Sequence, residues 1–322
     1  MTELYVDDRY RGSHGIGRYA SEVLPRLRPR WHPLALSGNA HSAFDAFRRL
    51  PRIGPDSLVY SPGYGALVRA PRQILTVHDL IHLQTPWPGR AKFEAYYRGP
   101  VRHVIRRAGV VLTVSQTSAR VIREWLRDDD VEVVDAGNGC SAAFTVEGPA
   151  DASTDPYVAY VGNMRGHKNL DVVLSALASA PDVRLRAVVP QREIMAARAR
   201  ATELGVERRV EWMHGLDDDQ LAALYRGAAA TVMPSTVEGF GLPALESVAC
   251  GVPVLFWRGC EAVAEVVGDR GTALGSAEDA AEWASAVTVA AESSSRVSPP
   301  SGAHDWDRTA RIISDALERA ST

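Results

Sequence analysis

Residues 237–246 of the chain are Val237-Glu238-Gly239-Phe240-Gly241-Leu242-Pro243-Ala244-Leu245-Glu246. This stretch follows an apolar run that ends at Met233-Pro234 and opens a run with helical spacing, so it predicts a strand, a glycine loop and a helix. Pro243 suits the first turn of that helix, and Gly239 and Gly241 let bare backbone approach a ligand. Because the N–H groups at a helix start donate to anionic or hydroxyl oxygens, the stretch predicts a ligand-binding turn.

Two carboxylates flank this glycine loop. Glu238 lies in the loop, and Glu246 falls about one turn into the predicted helix. Carboxylates accept bidentate hydrogen bonds from diols, so the pair can hold two separate sets of hydroxyls. Either glutamate alone is better explained as a capping or solvated residue. The Gly-Phe-Gly-Leu-Pro segment between them favours the binding hypothesis.

A second turn of the same kind is Tyr160-Val161-Gly162-Asn163-Met164-Arg165-Gly166-His167-Lys168-Asn169-Leu170. Ligands of parallel α/β sheets bind at the carboxyl ends of the strands, and this turn places two cations there. Arg165 can fork to phosphate oxygens, and Lys168 can act as a point charge beside them. The chain holds only two lysines among its 36 basic residues. One of the two lying here favours a phosphate site over a solvated polar turn.

Short apolar runs alternate with helix-length amphipathic runs along most of the chain. The predicted strands are 4–6, 57–60, 73–77, 110–114, 131–134, 157–161, 184–189, 210–213, 231–233 and 252–256. The predicted helices are 92–108, 116–127, 170–180, 193–204, 218–227, 242–250 and about 305–320. Strands that are apolar on both faces and alternate with helices predict an α/β fold with parallel sheets.

The alternation breaks twice, and the breaks predict the domain organisation. Residues 135–155 are rich in Gly, Ala, Ser and Asp and show no sustained period, which is typical of an interdomain connection. Residues 292–302 are a tether rich in Ser and Pro. We therefore expect a first domain over 1–150, a second over 151–302 and a terminal helix over 303–322.

Arg165-x-x-Lys168 together with Glu238-x7-Glu246 resembles the retaining glycosyltransferases of family 4, a GT-B family with two facing Rossmann-like domains. The resemblance implies that Arg165 and Lys168 bind the donor diphosphate, Glu246 the ribose hydroxyls and Glu238 the transferred hexose. It also implies that the terminal helix crosses back onto the first domain. The further donor contacts that it implies are the Gly239, Phe240, Gly241 and Leu242 backbone beside the sugar and phosphate, and Leu216 beside the base.

The N-terminal half resembles the same family in shorter pieces, although it is short for an acceptor-binding domain of that family. Gly15-Ile16-Gly17 resembles the glycine loop that approaches the donor phosphate. Thr76-Val77-His78-Asp79-Leu80 resembles the histidine motif at a strand end, which implies that His78 contacts the hexose near its 6-position. Asp79 and Ser115 are expected to support these contacts from behind. A structural role for His78, hydrogen-bonded inside the domain, is the alternative.

Composition excludes several classes of protein. A formal charge of −3 argues against nonspecific nucleic-acid binding. The apolar runs are too short to span a bilayer, and the N-terminus lacks the regions of a signal peptide, so a cytoplasmic protein is expected. Three cysteines are too few and too scattered for a disulfide framework or a zinc site.

Three further motifs carry weaker hypotheses. Residues 15–20 fit the dinucleotide fingerprint G-x-G-x-x-A, but the preceding strand and the acidic partner are missing at the required distances. The aspartate triplets 128–130 and 217–219 suit helix ends and polar loops better than a metal, so no metal is expected. The arginines in residues 98–107 indicate a solvated basic face. The alternative is peripheral contact of this face with anionic lipids.

These observations together predict a retaining, metal-independent hexosyltransferase that uses a nucleotide diphosphate sugar and no cofactor. GDP-mannose is the first candidate donor, with UDP- and dTDP-sugars next. The acceptor is expected to be a glycan, a lipid-linked intermediate or a small secondary metabolite. The alternatives are a non-catalytic nucleotide-sugar-binding or scaffold subunit, a sugar phosphorylase or epimerase, and, on the fingerprint alone, an NAD-dependent oxidoreductase.

Overall fold

The computed structural model describes residues 2–12, 15–40, 42–151, 155–293, 295–302 and 304–321. The chain divides into two units. Unit 1 comprises Met1–Gly139 together with Gly302–Thr322, and unit 2 comprises Cys140–Ser301. This division lies eleven residues before the 150/151 boundary expected from composition. The terminal helix belongs to unit 1.

The segment 140–150 belongs to unit 2 because it is fastened there at several points. Phe144 is buried among Tyr157, Tyr225 and their neighbours. The guanidinium of Arg226 donates to the carbonyl oxygens of four residues of the segment, at 2.6–3.3 Å. Because these backbone carbonyls accept hydrogen bonds from Arg226, they do not need a helix or a strand to supply donors. This arrangement holds an aperiodic segment in place.

Unit 1 is built on parallel strands. Its elements up to residue 139 are β1 (Leu4–Val6), α1 (Gly15–Val23), β2 (Trp31–Pro33), β3 (Leu58–Ser61), β4 (Arg72–Leu75), α2 (Ile81–Gln84), α3 (Arg90–Tyr96), α4 (Arg102–Ala108), β5 (Val110–Thr113), α5 (Gln116–Leu126) and β6 (Glu132–Asp135). Four strands form a sheet of order β2-β1-β3-β4, and β5 pairs with β6. A bridge between Thr76 and Leu112 joins β4 to β5, so the strands follow one another in the order β2-β1-β3-β4-β5-β6.

The helix expected over 92–108 is interrupted. A π-helical turn, Tyr97–Val101, separates α3 from α4 and contains Pro100. Proline has no N–H to donate, so a regular helix cannot continue through this position. The arginines that follow are engaged within unit 1, since Arg102 donates to the carbonyl of Leu126 and Arg106 pairs with Asp128 at 2.6 Å. These contacts favour a structural role for much of the basic face.

Unit 2 has the strand order of a doubly wound fold. Its elements are β7 (Tyr157–Val161), α6 (Leu170–Ser179), β8 (Arg184–Val188), α7 (Ile194–Glu203), β9 (Val210–Met213), α8 (Asp218–Gly227), β10 (Ala230–Met233), α9 (Leu242–Ala249), β11 (Val254–Trp257), α10 (Glu261–Val267), β12 (Gly271–Leu274) and α11 (Ala280–Ser293). The six parallel strands lie in the order β12-β11-β10-β7-β8-β9. The order reverses between β7 and β10, and ligands of such sheets bind at the carboxyl ends of the strands at this switch point.

Helix α12 (Trp306–Ser321) returns the chain to unit 1 after the Ser/Pro tether. It packs against α1 and the short helical turn that follows α1. Its buried stripe includes Trp306, Ile313 and Leu317. Trp306 lies directly on the backbone of Gly139, where a Cβ would fall 2.4 Å from the indole ring. Among the described residues, no helix has the length and apolarity needed to cross a membrane.

Candidate functional site

The two turns that the sequence singled out meet at the switch point of unit 2. The loop after β7 and the loop after β10 are joined by a backbone hydrogen bond from Thr236 to the carbonyl of His167, at 2.8 Å. Lys168 Nζ lies 2.6 Å from Glu238 Oε1, and both side chains are largely withdrawn from solvent. Two adjacent strand ends therefore bring one cation and one carboxylate together.

The loop after β7 is held by contacts that sequence reasoning missed. Glu193 accepts a hydrogen bond from the backbone N–H of Met164 at 2.7 Å. The side-chain oxygen of Asn163 accepts from the N–H of Arg165 at 3.1 Å. The Tyr160 hydroxyl donates to the Asn163 carbonyl at 2.9 Å. These bonds fix the backbone of the loop and leave the Arg165 side chain at an exposed position.

The loop after β10 needs glycine at position 241. Gly241 has φ +100° at the N-cap of α9, in the left-handed region that other residues rarely adopt. A Cβ there would also lie 3.2 Å from Val263. Gly239 and Phe240 are buried beside it, and Leu242 and Pro243 form the first turn of α9. The glycine loop therefore turns sharply into the helix, as its sequence predicts.

Glu246 is buried in the second turn of α9, with only 4% of its surface exposed. Its Oε2 accepts a hydrogen bond from the Tyr225 hydroxyl of α8, at 3.0 Å. Burial, followed by the charge of Glu246, raises the pKa of Tyr225 well above its ordinary value, so the phenol keeps its proton and donates. Tyr225 thus orients the carboxylate, a role that no motif in the sequence indicates.

Cys260 lies close to Glu238, the carboxylate that pairs with Lys168. It is buried at the start of α10, and burial, aided by the charge of Glu238, raises the pKa of its thiol to about 12. A thiol with that pKa stays protonated near neutrality and is a poor nucleophile. Leu216, the residue expected beside a base, lies half-buried between β9 and α8.

In unit 1, His78 lies just beyond β4 and is half-buried. Its Nε2 donates to the Pro62 carbonyl at 3.0 Å, and its ring meets the Tyr19 ring edge-on at 4.7 Å. Burial, the largest cause, lowers the pKa of His78. The imidazole is therefore neutral near pH 7, and the tautomer with hydrogen on Nε2 leaves Nδ1 as an acceptor. These contacts are those expected of a histidine that is hydrogen-bonded inside the unit. They also leave Nδ1 available to bind a ligand.

The two supporting residues expected in unit 1 both organise backbone. Asp79 accepts a hydrogen bond from the N–H of Ile81 at 2.9 Å and so begins α2. Ser115 is the N-cap of α5 and accepts from the N–H of Ser118 at 3.0 Å. Each bond is of the kind that starts a helix after a strand. Asp79 and Ser115 thus lie at strand ends of unit 1 and bind backbone N–H groups there.

The expected glycine loop of unit 1 is the start of a helix. Gly15 and Gly17 belong to the first turn of α1, and residues 13–14 lie outside the described residues. Gly15 has open space around its α-carbon. At Gly17 a Cβ would lie 2.4 Å from the carbonyl oxygen of Gly12, so close backbone packing already explains this glycine.

Aspartates of both triplets have partners within their own units. Asp217 caps α8 in a reciprocal capping box with Gln220, and Asp128 pairs with Arg106. Across the part of the chain that the structure describes, no three His, Cys, Asp or Glu side chains are grouped as metal ligands. The charged groups at the switch point are instead Arg165, Lys168 and Glu238.

Comparison with known proteins identifies the family. Residues 146–311, more than half of the chain, match the family described as "Glycosyl transferases group 1". The chain belongs to this family. The match covers the loops after β7 and β10 and the whole of α9. This group 1 glycosyltransferase therefore carries Lys168, Glu238 and Glu246 inside the family region.

Curated relatives share shorter stretches. The chain is 28% identical over 231 residues to "O-antigen chain mannosyltransferase B" of Escherichia coli, covering 67% of this chain and 60% of the relative. It is 35% identical over 164 residues to "D-inositol 3-phosphate glycosyltransferase" of Mycobacterium bovis, covering 49% of this chain and 33% of the relative. The chain thus spans less than two thirds of the length of either relative.

Solved structures of GT-B glycosyltransferases share the fold. WaaG, "a glycosyltransferase involved in lipopolysaccharide biosynthesis", aligns with a TM-score of 0.62 and 15% identity over 98% of both chains. HepE of Anabaena, solved "in complex with UDP and glucose", aligns with a TM-score of 0.60 and 21% identity, covering 82% of this chain and 73% of HepE. The group 1 glycosyltransferase described here accordingly has the α/β fold with parallel sheets that its sequence predicts.

Proposed function

We propose that this glycosyltransferase is a retaining hexosyltransferase of family 4 that takes its sugar from a nucleotide diphosphate donor. The observation that carries the proposal is the contact between Lys168 and Glu238 at the switch point of unit 2. A nucleotide sugar presents a diphosphate next to a hexose, so its site needs a cation and a hydroxyl acceptor within a few ångströms of each other. Lys168 and Glu238 meet that requirement.

The diphosphate is assigned to Arg165, Lys168 and the N-terminus of α9. Arg165 is exposed on a fixed backbone, and its guanidinium can fork to two phosphate oxygens. The ammonium of Lys168 has three hydrogens, of which Glu238 Oε1 takes one. Backbone N–H groups of the Gly239–Leu242 turn add neutral donors, and helix starts favour anions.

The sugars are assigned to the two glutamates. Glu246 receives the ribose hydroxyls, because Tyr225 already holds its carboxylate in one orientation inside the unit. Glu238 receives hydroxyls of the transferred hexose, and Leu216 borders the base. His78 keeps the role that the resemblance implies, a contact to the hexose, for which Nδ1 of the neutral ring is a suitable acceptor.

The proposed reaction is a displacement on one face of the sugar. The bond between the anomeric carbon and the diphosphate oxygen breaks, and a bond from the acceptor oxygen forms on the same face. The acceptor proton passes to the departing phosphate oxygen, so charge and atoms balance without a protein nucleophile. Arg165 and Lys168 stabilise the negative charge that develops on the leaving group, where preorganised charges lower the barrier most.

We propose GDP-mannose as the first donor to test, with UDP-sugars second. The Escherichia coli relative is named a mannosyltransferase, and HepE was solved with UDP. The acceptor hydroxyl is assigned to a glycan, a lipid-linked intermediate or a secondary metabolite, and the site to metal-independent chemistry. A non-catalytic nucleotide-sugar-binding subunit is the second candidate function.

The test has two steps. Thermal unfolding is measured with GDP, UDP, dTDP and ADP, because a ligand that binds only the folded state raises its apparent stability. The matching nucleotide sugar is then incubated with an acceptor panel, and the anomeric configuration of the product is read by NMR. An inverted anomer contradicts the retaining assignment. Tight donor binding without transfer to any acceptor supports the non-catalytic alternative.

A further inference from the structure

Unit 1 displays two large aromatic side chains side by side on one short turn. Phe44 is 79% exposed and Phe47 is 62% exposed, and both belong to the turn of 3-10 helix Ala43–Phe47. Exposed phenylalanines at such close spacing are unusual for the surface of a globular unit. The turn takes no part in the site described above.

The exposure of these rings is fixed by the fold. Ala46, between them, is fully buried, and its carbonyl accepts a hydrogen bond from the N–H of Val68 at 2.9 Å. Asp45 pairs with Arg9 at 2.5 Å and with Arg48 at 3.1 Å. Asp45 and Ala46, the two residues between the phenylalanines, thus anchor the turn to unit 1, and both phenyl rings stay exposed.

One cation lies on the Phe44 ring, and three more lie close to the turn or to its anchor along the chain. Lys92 Nζ of α3 lies 4.8 Å from the centre of the Phe44 ring. Arg49 and Arg52 follow the turn within five residues, and Arg69 adjoins the Val68 anchor. These four side chains are exposed, and none of them forms an ion pair within the described ranges of the chain. We call Phe44, Phe47, Arg49, Arg52, Arg69 and Lys92 the aromatic-basic patch.

We propose that the aromatic-basic patch binds the surface of a membrane that contains anionic lipids. Aromatic rings partition into the interface between headgroups and acyl chains, while Lys and Arg beside them attract headgroup phosphates. The whole chain carries a formal charge of −3, so general attraction to an anionic surface is not available to it. Binding must come from a local excess of cations, which the patch provides around two insertable rings.

The patch differs from the basic face of residues 98–107. On that face Arg98 pairs with Glu94 at 2.7 Å, Arg106 pairs with Asp128, and Arg102 is committed to a backbone carbonyl. Partnered arginines lose part of their attraction for lipid phosphates. The geometry therefore assigns lipid contact to the patch, and the two surfaces can be separated by mutation.

The test is sedimentation of the full chain with vesicles. Vesicles of phosphatidylcholine mixed with phosphatidylglycerol are compared with vesicles of phosphatidylcholine alone. We expect binding to the anionic vesicles only, and weaker binding at high salt. Phe44→Ser with Phe47→Ser should lower the partition coefficient about tenfold or more, since two ring insertions are lost. Arg49→Gln with Arg52→Gln should lower it about fivefold for each charge removed.

Two control variants make the result specific. Met195→Ser removes a side chain of unit 2 that is 77% exposed, and Arg98→Gln with Arg106→Gln removes two charges from the basic face. Both controls should bind as the unmodified chain does, and all variants should keep its thermal midpoint because the substituted residues are exposed. No binding by the unmodified chain, or equal losses in patch and control variants, overturns the proposal.

Discussion

Lys168 Nζ and Glu238 Oε1 lie 2.6 Å apart although seventy residues separate them in the chain. The pair closes the gap between two strand ends at the point where the strand order of unit 2 reverses. Without a donor, each charge neutralises the other at a partly buried site. Under the proposed function, the donor diphosphate accepts hydrogen bonds from the remaining hydrogens of the Lys168 ammonium, and hydroxyls of the hexose bind Glu238. The two residues should therefore respond differently to substitution.

Lys168→Ala and Arg165→Ala should each weaken binding of the nucleoside diphosphate. The loss of a charge-assisted hydrogen bond costs about 1.5–3 kcal/mol, which is roughly tenfold or more in affinity. Titration calorimetry measures this loss of affinity. The control is Arg208→Ala, which replaces an exposed arginine in the turn before β9. Unchanged affinity in both site variants would remove phosphate binding from their roles.

Glu238→Gln should leave nucleoside diphosphate affinity nearly unchanged and depress turnover of the nucleotide sugar. The substitution keeps the size of the side chain and releases Lys168 from its ion pair, so phosphate binding has no reason to weaken. Steady-state kinetics and calorimetry on the same preparation separate the two effects. A loss of diphosphate affinity as large as that in Lys168→Ala would show that Glu238 is misassigned.

Tyr225→Phe should weaken binding of the nucleoside diphosphate through Glu246. The substitution removes the hydroxyl that orients the buried carboxylate, and it should also cost about 1–3 kcal/mol of stability. Tyr157→Phe is the matched control, because that buried hydroxyl donates to the Leu224 carbonyl at 2.7 Å in the same unit. The control should lose stability and keep its affinity. Equal affinities in the two variants would contradict the ribose assignment of Glu246.

The stability of the protein should depend on His78 below pH 6.5. Burial lowers the pKa of His78 in the folded state from the ordinary value of 6.5. Between the lowered pKa and 6.5 the unfolded chain binds more protons, so the free energy of unfolding falls as the pH falls, by up to about 1.4 kcal/mol per pH unit. His78→Gln should remove this component, whereas His103→Gln, on an exposed position of α4, should keep it. Thermal midpoints measured above and below pH 6.5 decide the point.

Transfer activity should survive an excess of EDTA. The two cations beside the glycine loop supply the positive charge that a divalent metal supplies in other transferases. Activity is measured before and after chelation and again after Mg²⁺ or Mn²⁺ is added back. Complete loss on chelation that either metal restores would contradict metal-independent transfer.

Much of the fold follows from local pattern. Buried parallel strands such as β7 and β10 are recognisable in the sequence as short runs rich in Val and Ala. Gly241 and Pro243 indicate the start of α9. The elements that the pattern did not reveal are β2, β12, α1, α2, α10 and α11. β2 has no buried residue and β12 has one, Leu274. Both strands lie at the edges of their sheets, so neither shows the apolar run by which a buried strand is recognised.

The candidate site was predictable only where a motif carries its own chemistry. Two short motifs contain the predicted residues Arg165, Lys168, Glu238 and Glu246. Each motif follows a strand of one parallel sheet, so both are expected at the same edge of that sheet. Tyr225 comes from α8 and reaches Glu246 across a helix pair, and nothing within its own helix indicates that contact. Long-range hydrogen bonds of this kind depend on how helices pack, which local sequence does not encode.

The packing of Gly139 against Trp306 bears on the construction of chimeric proteins by domain exchange. The chain departs from unit 1 after Gly139 and re-enters it at Gly302, and Trp306, four residues after the re-entry, packs against Gly139. Unit 2 is therefore an insert between adjacent ends of a unit that is continuous in space. The second unit of a related protein can be spliced in at the same place, and under the proposed function such an exchange changes the sugar donor.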